Sequence, residues 1–194
     1  MNQLEAINKI LGMAGEPPVD SVDTEGLTSV SFALSELQSA SQRIQSSRVF
    51  ATRRTVRVVP DSEGKLRLSE LTLFVDRAIT NEGNVLVFYN GNLIAEDGTD
   101  VFDSDVYADV IVHTGQNFEY LPYYVQDYIV AEAAYEFIKV RLGAPDLVST
   151  VFRRREEARR QFNRLEVLHG RPSSLDNPTV LNILGRRSNP SRRY

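Results

Sequence analysis

The side chains able to do chemistry are few and poorly grouped. Histidine occurs at His113, closing a strand-like run, and at His169, closing a helix-like one. With Cys 0 and no His-x-x-x-His spacing they form no zinc site, and each reads as a surface or terminus residue. A protonated His169 is favoured by the dipole of the helix it ends. Gly64-Lys65 lacks the upstream glycine of a phosphate-cradling loop, and Leu66 stands where such loops need a hydroxyl. There is no Gly-x-Ser-x-Gly elbow for a serine hydrolase. Acid is the one real concentration: Glu96, Asp97, Asp100, Asp103, Asp105 and Asp109 crowd a single stretch. Two carboxylates at suitable separation are what glycoside hydrolysis requires. Only Phe102 and Tyr107 lie near enough in sequence to stack on a sugar, and cation contacts, partner contacts or plain solvation are the other readings. The chain is read as a non-enzyme with no cofactor and no metal.

The elements that must carry these residues are organised around 121–168, which reads as two long helices with a hinge. Tyr124, Tyr128, Ala131, Tyr135, Ile138 and Leu142 recur at steps of four and three, along one side of a helix. Pro122 suits its first turn. Gly143 supplies a left-handed end, and Pro145 is placed to open the next helix. There Leu147, Val151, Ala158, Phe162 and Leu165 form a narrower apolar seam. Arg153, Arg154, Glu156, Glu157, Arg159 and Arg160 fill the other sides, with Arg153/Glu157 and Glu156/Arg160 at supportive spacing. The tyrosines read as packing. Two such helices predict an αα-hairpin whose apolar sides need a partner.

Upstream, Leu4, Ile7, Leu11 and Ala14 mark one face of a short helix stopped by Gly15, Pro17 and Pro18. After a polar connector over 19–26, Val30, Leu34, Leu37, Ser41 and Ile44 predict a second helix over 28–46, whose serines make it depend on packing. From Thr52 the period changes. Runs at 55–59, 71–75, 85–89, 92–95 and 106–113 are β-branched or aromatic and separated by turn formers. Asn90-Gly91 between two of them predicts a type I′ hairpin. In the last run Val106, Ala108, Val110 and Val112 face one way, and Tyr107, Asp109, Ile111 and His113 the other. The fold class is therefore α+β: a helical bundle with an inserted small antiparallel sheet, divided as 1–51, 52–120, 121–169 and 170–194.

At 194 residues one domain with a proper core is feasible, and 42% hydrophobic with 25% charged residues fits a soluble chain. No apolar run approaches a membrane span and the start MNQLEAINKI lacks the order of a secretion signal, so membrane insertion is not expected. The formal charge of -4 argues against a dedicated nucleic-acid binder. Acid gathers at 96–109 and base at 153–171 and 186–193, as suits a molecule that stacks end to end with unlike neighbours. The last stretch, GRPSSLDNPTVLNILGRRSNPSRRY, has three prolines and no period, yet Leu175, Val180, Leu181, Ile183 and Leu184 are too apolar for a plain tail. It reads as an arm that docks on another chain, or else folds back on its own domain.

Particular strings now matter more than periods. AINKILGMAGEPPV, QRIQSSRVF, FDSDVYADVIV and LPYYVQDYIVAEAAYEFIKVRLGAPDLVSTVFRRREEARRQF closely resemble the tail tubular protein A family of short-tailed bacteriophages. The resemblance covers about half the chain and is absent from 52–100 and beyond Gly170. The family's Gly-Trp after its Gln-Ser-Arg string is replaced here by Ser47-Arg48-Val49-Phe50.

The resemblance implies a structural virion protein of the head-to-tail connector. It implies an adaptor ring, expected to be twelvefold, between the portal protein and the nozzle protein (tail tubular protein B), with tail fibres around it. Double-stranded DNA would pass through the channel without sequence-specific binding, which a net negative chain suits. Ring-wall contacts are expected at Tyr124, Tyr128, Tyr135, Arg153, Arg154, Glu156, Glu157 and Arg160. The portal-docking arm is expected to use Leu175, Val180, Leu181, Ile183, Leu184, Arg186, Arg187, Arg192, Arg193 and Tyr194. Asn90, Gly91, Asp100, Asp103 and Asp105 are expected to face the nozzle or fibres. The rival readings are a glycan hydrolase using Asp103 and Asp105, a host-surface attachment protein, and a DNA-binding module whose affinity would fall steeply with salt.

Overall fold

A computed structural model describes residues 1–23, 28–141, 143 and 145–170. Leu142 and the whole expected arm, from Leu175 to Tyr194, lie outside the described residues.

Helix α1 (Gln3–Met13) starts where Asn2 accepts the Glu5 N–H and the Glu5 carboxylate accepts the Asn2 N–H, a reciprocal cap that satisfies two otherwise orphaned donors. Its Ile7, Ile10 and Leu11 are buried. Helix α2 (Thr28–Gln45) buries Val30, Leu37, Ser41 and Ile44 as its spacing predicts, with Ala33 and Ala40 between them. Gln45 explains why a polar residue closes that face: it donates to Ser41 and the Gln116 carbonyl and accepts the Gln116 N–H at 2.7 Å. Arg48 follows with φ 64, its guanidinium 3.9 Å above the Phe74 ring. A 3₁₀ turn (Phe50–Thr52) then leads into the strands.

The expected single sheet is instead two antiparallel three-stranded sheets. One has the order β1 (Arg53–Val58), β6 (Ala108–Thr114), β3 (Thr72–Thr80); the other has β2 (Leu66–Arg67), β5 (Asn92–Ala95), β4 (Leu86–Tyr89). Strand β2 has only two residues, too short for any periodic signal. Strand β3 runs past the expected Val75 because register shifts absorb Asp76 and break its alternation. Asn90 and Gly91 both take positive φ (47 and 81), the conformation that closes Tyr89 onto Asn92 in a two-residue turn. Ala108, Val110 and Val112 share a buried cluster with Ala78 beside Val110 on the same sheet and with Leu66, Leu86 and Leu93 from the other sheet. His113 corrects the reading of a surface residue: it is 2% exposed.

Helices α3 (Tyr123–Arg141) and α4 (Pro145–Gly170) follow. Gly143 has φ 58 and returns its N–H to the Ile138 carbonyl, and α4 begins at Pro145. The two run antiparallel, since Tyr124 meets Glu166, Tyr128 meets Phe162, and Tyr135 meets Phe152. Helix α3 is buried on more sides than one stripe: Val125, Ile129, Ala133 and Phe137 join the core of α1 and α2, while the tyrosines turn to α4. The one-stripe reading is corrected here, because a helix packed between neighbours needs apolar residues almost all round. Leu147 also departs from expectation at 38% exposed, and Val148 packs on the core in its place.

Candidate subunit-contact surfaces

The inner side of α4 is fixed by chemistry as well as by apolar packing. Val151, Ala158 and Phe162 are buried. Arg154 reaches Asp127 at 2.6 Å, and Arg155 reaches Glu132, which also receives Arg43 from α2 at 3.1 Å. The hydrogen bond that Arg155 donates to Glu132 raises the Arg155 pKa above its ordinary value. Arg155 also lies 4.8 Å from the centre of the Tyr135 ring. Near the far end Glu166 accepts the Tyr124 hydroxyl at 2.7 Å and the Phe50 N–H at 2.6 Å, tying α4 to α3 and to the 3₁₀ turn. Burial, and then that carboxylate, push the Tyr124 pKa well up; burial does the same for Tyr128. His169 stacks on both Phe50 and Tyr124.

The residues expected at ring contacts therefore separate into two groups. Tyr124, Tyr128, Tyr135 and Arg154 are occupied inside the chain, where they join α3 to α4. Arg153, Glu157 and Arg160 are exposed, and Glu156 is half-buried. Glu156 lies within ion-pair distance of Arg155 and Arg159 in place of the expected Arg160.

The sheets carry the other expected surface. Asn90 and Gly91 form the tip of the β4–β5 turn. Asp100, Asp103 and Asp105 are exposed in the loop between β5 and β6. Asp100 has Lys65 at 3.9 Å, and Asp109, also from the acidic stretch, is engaged by Arg57 at 3.0 Å on strand β1. Among the described residues no group of three or more His, Asp or Glu is arranged to hold a metal ion, and no helix is long and apolar enough to cross a membrane.

Sequence reasoning missed the buried polar joints. Gln126 donates to the Phe118 carbonyl, and Glu132 is 6% exposed. Each had a signal: an amide or acid buried within the largely apolar run YYVQDYIVAEAAYEF is retained only with a partner.

A long charged helix braced on one side, beside a small paired sheet with an acidic loop, offers contact surfaces. The sequence model of the tail tubular protein family matches residues 4–171. The chain belongs to the tail tubular protein family. The match runs through 52–100, where individual strings carried no resemblance. No curated protein matches the chain. Tail tubular proteins are structural components of the phage virion tail, and they assemble with other tail components.

Proposed function

We propose that this tail tubular protein is the adaptor subunit of a short, non-contractile phage tail, assembling as a twelvefold ring between portal and nozzle. The observation that carries this is the two-sidedness of α4. Over 26 residues it is locked to α3 on one side and leaves Arg153, Glu157, Arg160 and Arg164 to solvent on the other, as a stave of a wall does. The αα-hairpin of α3 and α4 forms that wall, and the β4–β5 turn at Asn90-Gly91 faces the nozzle or the tail fibres. The arm over 171–194 docks on the portal through its leucines and arginines. DNA passes through the ring during ejection, and an overall negative chain does not grip it.

The test is the mass of the purified protein alone and mixed with portal rings, by light scattering or native mass spectrometry. Recruitment of many copies supports the adaptor reading; a protein that stays single and ignores the portal overturns it. Deleting Ser173 to Tyr194 is expected to abolish portal binding while the circular dichroism spectrum keeps its helical signal. Undiminished binding by the truncated chain would move the docking role elsewhere.

A further inference from the structure

The outward side of α4 is defined by spacing. Arg153, Arg160 and Arg164 stand seven and four residues apart on the side opposite Val151, Ala158 and Phe162, where Glu157 is the one exposed acid among them. All three are exposed, and none is within ion-pair distance of an acid among the described residues. Beside them lies a shallow groove of about 470 Å³ lined by Arg160, Gln161, Arg164, Leu165 and Leu168, with Leu168 57% exposed. Cationic side chains around an apolar floor fit a partner with the reverse pattern, acid around an apolar centre.

The chain's own terminal stretch does not have that pattern. Residues 171–194 carry five arginines against Asp176 alone, so their charge is repelled from this stripe. The loop joining β5 to β6 does have it. Glu96, Asp97, Asp100, Asp103 and Asp105 are exposed there with no base in the loop itself, Lys65 standing 3.9 Å from Asp100, and Val101 is 55% exposed at their centre. The loop is also held in shape before any encounter, which reduces the ordering cost of binding. The Phe102 N–H donates to the Gly64 carbonyl at 2.8 Å, and Asn81 both donates to the Asp105 carbonyl and accepts the Tyr107 N–H. The Thr99 N–H holds the Asp97 carboxyl below the usual carboxylate range, keeping it charged.

We propose that the outward face of α4 around Arg160, Arg164 and Leu168 docks the 96–105 loop of a second copy of this chain, head to tail. Unlike patches at different places on one subunit generate a heterologous contact, the kind that closes into a ring when its rotation permits. The proposal rests on the ring reading above and assigns the contact between ring neighbours. It also moves Asp100, Asp103 and Asp105 from the nozzle side to the subunit boundary.

The absence of native cysteine gives a clean test. Arg164→Cys and Asp103→Cys are prepared separately, mixed with portal rings, and treated with a short thiol-to-thiol crosslinker while light scattering follows assembly. A covalent dimer is expected in the mixture and not from either variant alone. In a second arm, the double variant Arg160→Glu/Arg164→Glu is expected to weaken self-association about tenfold or more. Adding Asp103→Arg/Asp105→Arg subunits is expected to restore it. Multi-copy assembly without the 164–103 link and without charge-swap rescue overturns this contact and leaves the ring standing. No multi-copy assembly, with or without portal, overturns the ring and the contact together.

Discussion

Arg155 of α4 places its Nε 2.5 Å from the Glu132 carboxylate of α3, amid mostly apolar buried residues of that helix. Arg43 of α2 binds the same carboxylate, so one acid fastens three helices. Removing it by Glu132→Ala leaves the less exposed Arg155 without its counter-charge. The expected cost is about 2–3 kcal/mol, below the roughly 3–5 kcal/mol of a fully buried pair because Arg43 is half in water. Urea unfolding followed by circular dichroism measures it; a change under half that size would show that solvent replaces the pair.

Stability at high pH should report Tyr124. Its folded pKa is raised by burial and by Glu166, so the folded state keeps a proton that the unfolded chain releases above about pH 10. Fewer protons bound by the unfolded state means that stability falls as pH rises through that window. Thermal melts between pH 8 and 11 are expected to show this decline. Tyr124→Phe is expected to reduce it, Tyr128 keeping its share, while lowering neutral-pH stability by about 1 kcal/mol through the lost hydrogen bond.

Gly143 lies at φ 58 with open space where a Cβ would be, so replacing it tests conformation alone. Gly143→Ala is expected to cost about 1 kcal/mol, and Gly143→Asn less, since asparagine tolerates the left-handed region better. Chemical denaturation of both variants ranks them; equal cost would place the penalty elsewhere.

His113 joins the bundle's exit to the sheet. Nδ1 lies 3.1 Å from the Thr52 hydroxyl and 3.2 Å from the Val49 carbonyl, and Nε2 lies 3.0 Å from Asp76. His113→Leu keeps the bulk and removes every one of these contacts, with an expected loss of about 2–3 kcal/mol. Asp76→Asn should lose less, because amide oxygen still accepts. The unfolding midpoints of the two variants in urea decide the order.

The helices, most of the strands and the Asn90-Gly91 turn were legible in the order of residues, because period and turn chemistry are set by near neighbours. The end at Gly143 and the alternation that puts Val110 and Val112 on one face of β6 depend on residues a few positions away. The acidic loop and the arginine stripe of α4 were equally visible, since exposed charge is written directly in composition. What stayed hidden was pairing at a distance. That β2 exists at all follows from β5 lying beside it, not from Leu66 and Arg67 themselves. That His113 is a buried joint follows from Thr52, Val49 and Asp76 meeting around it. The tyrosines of α3 form one stripe in sequence, but which side meets α4 and which meets α1 and α2 was decided only when three helices competed for the same apolar surface. Local geometry repeats every few residues and can be read; the partner of a buried polar group is chosen by the closing of the whole chain.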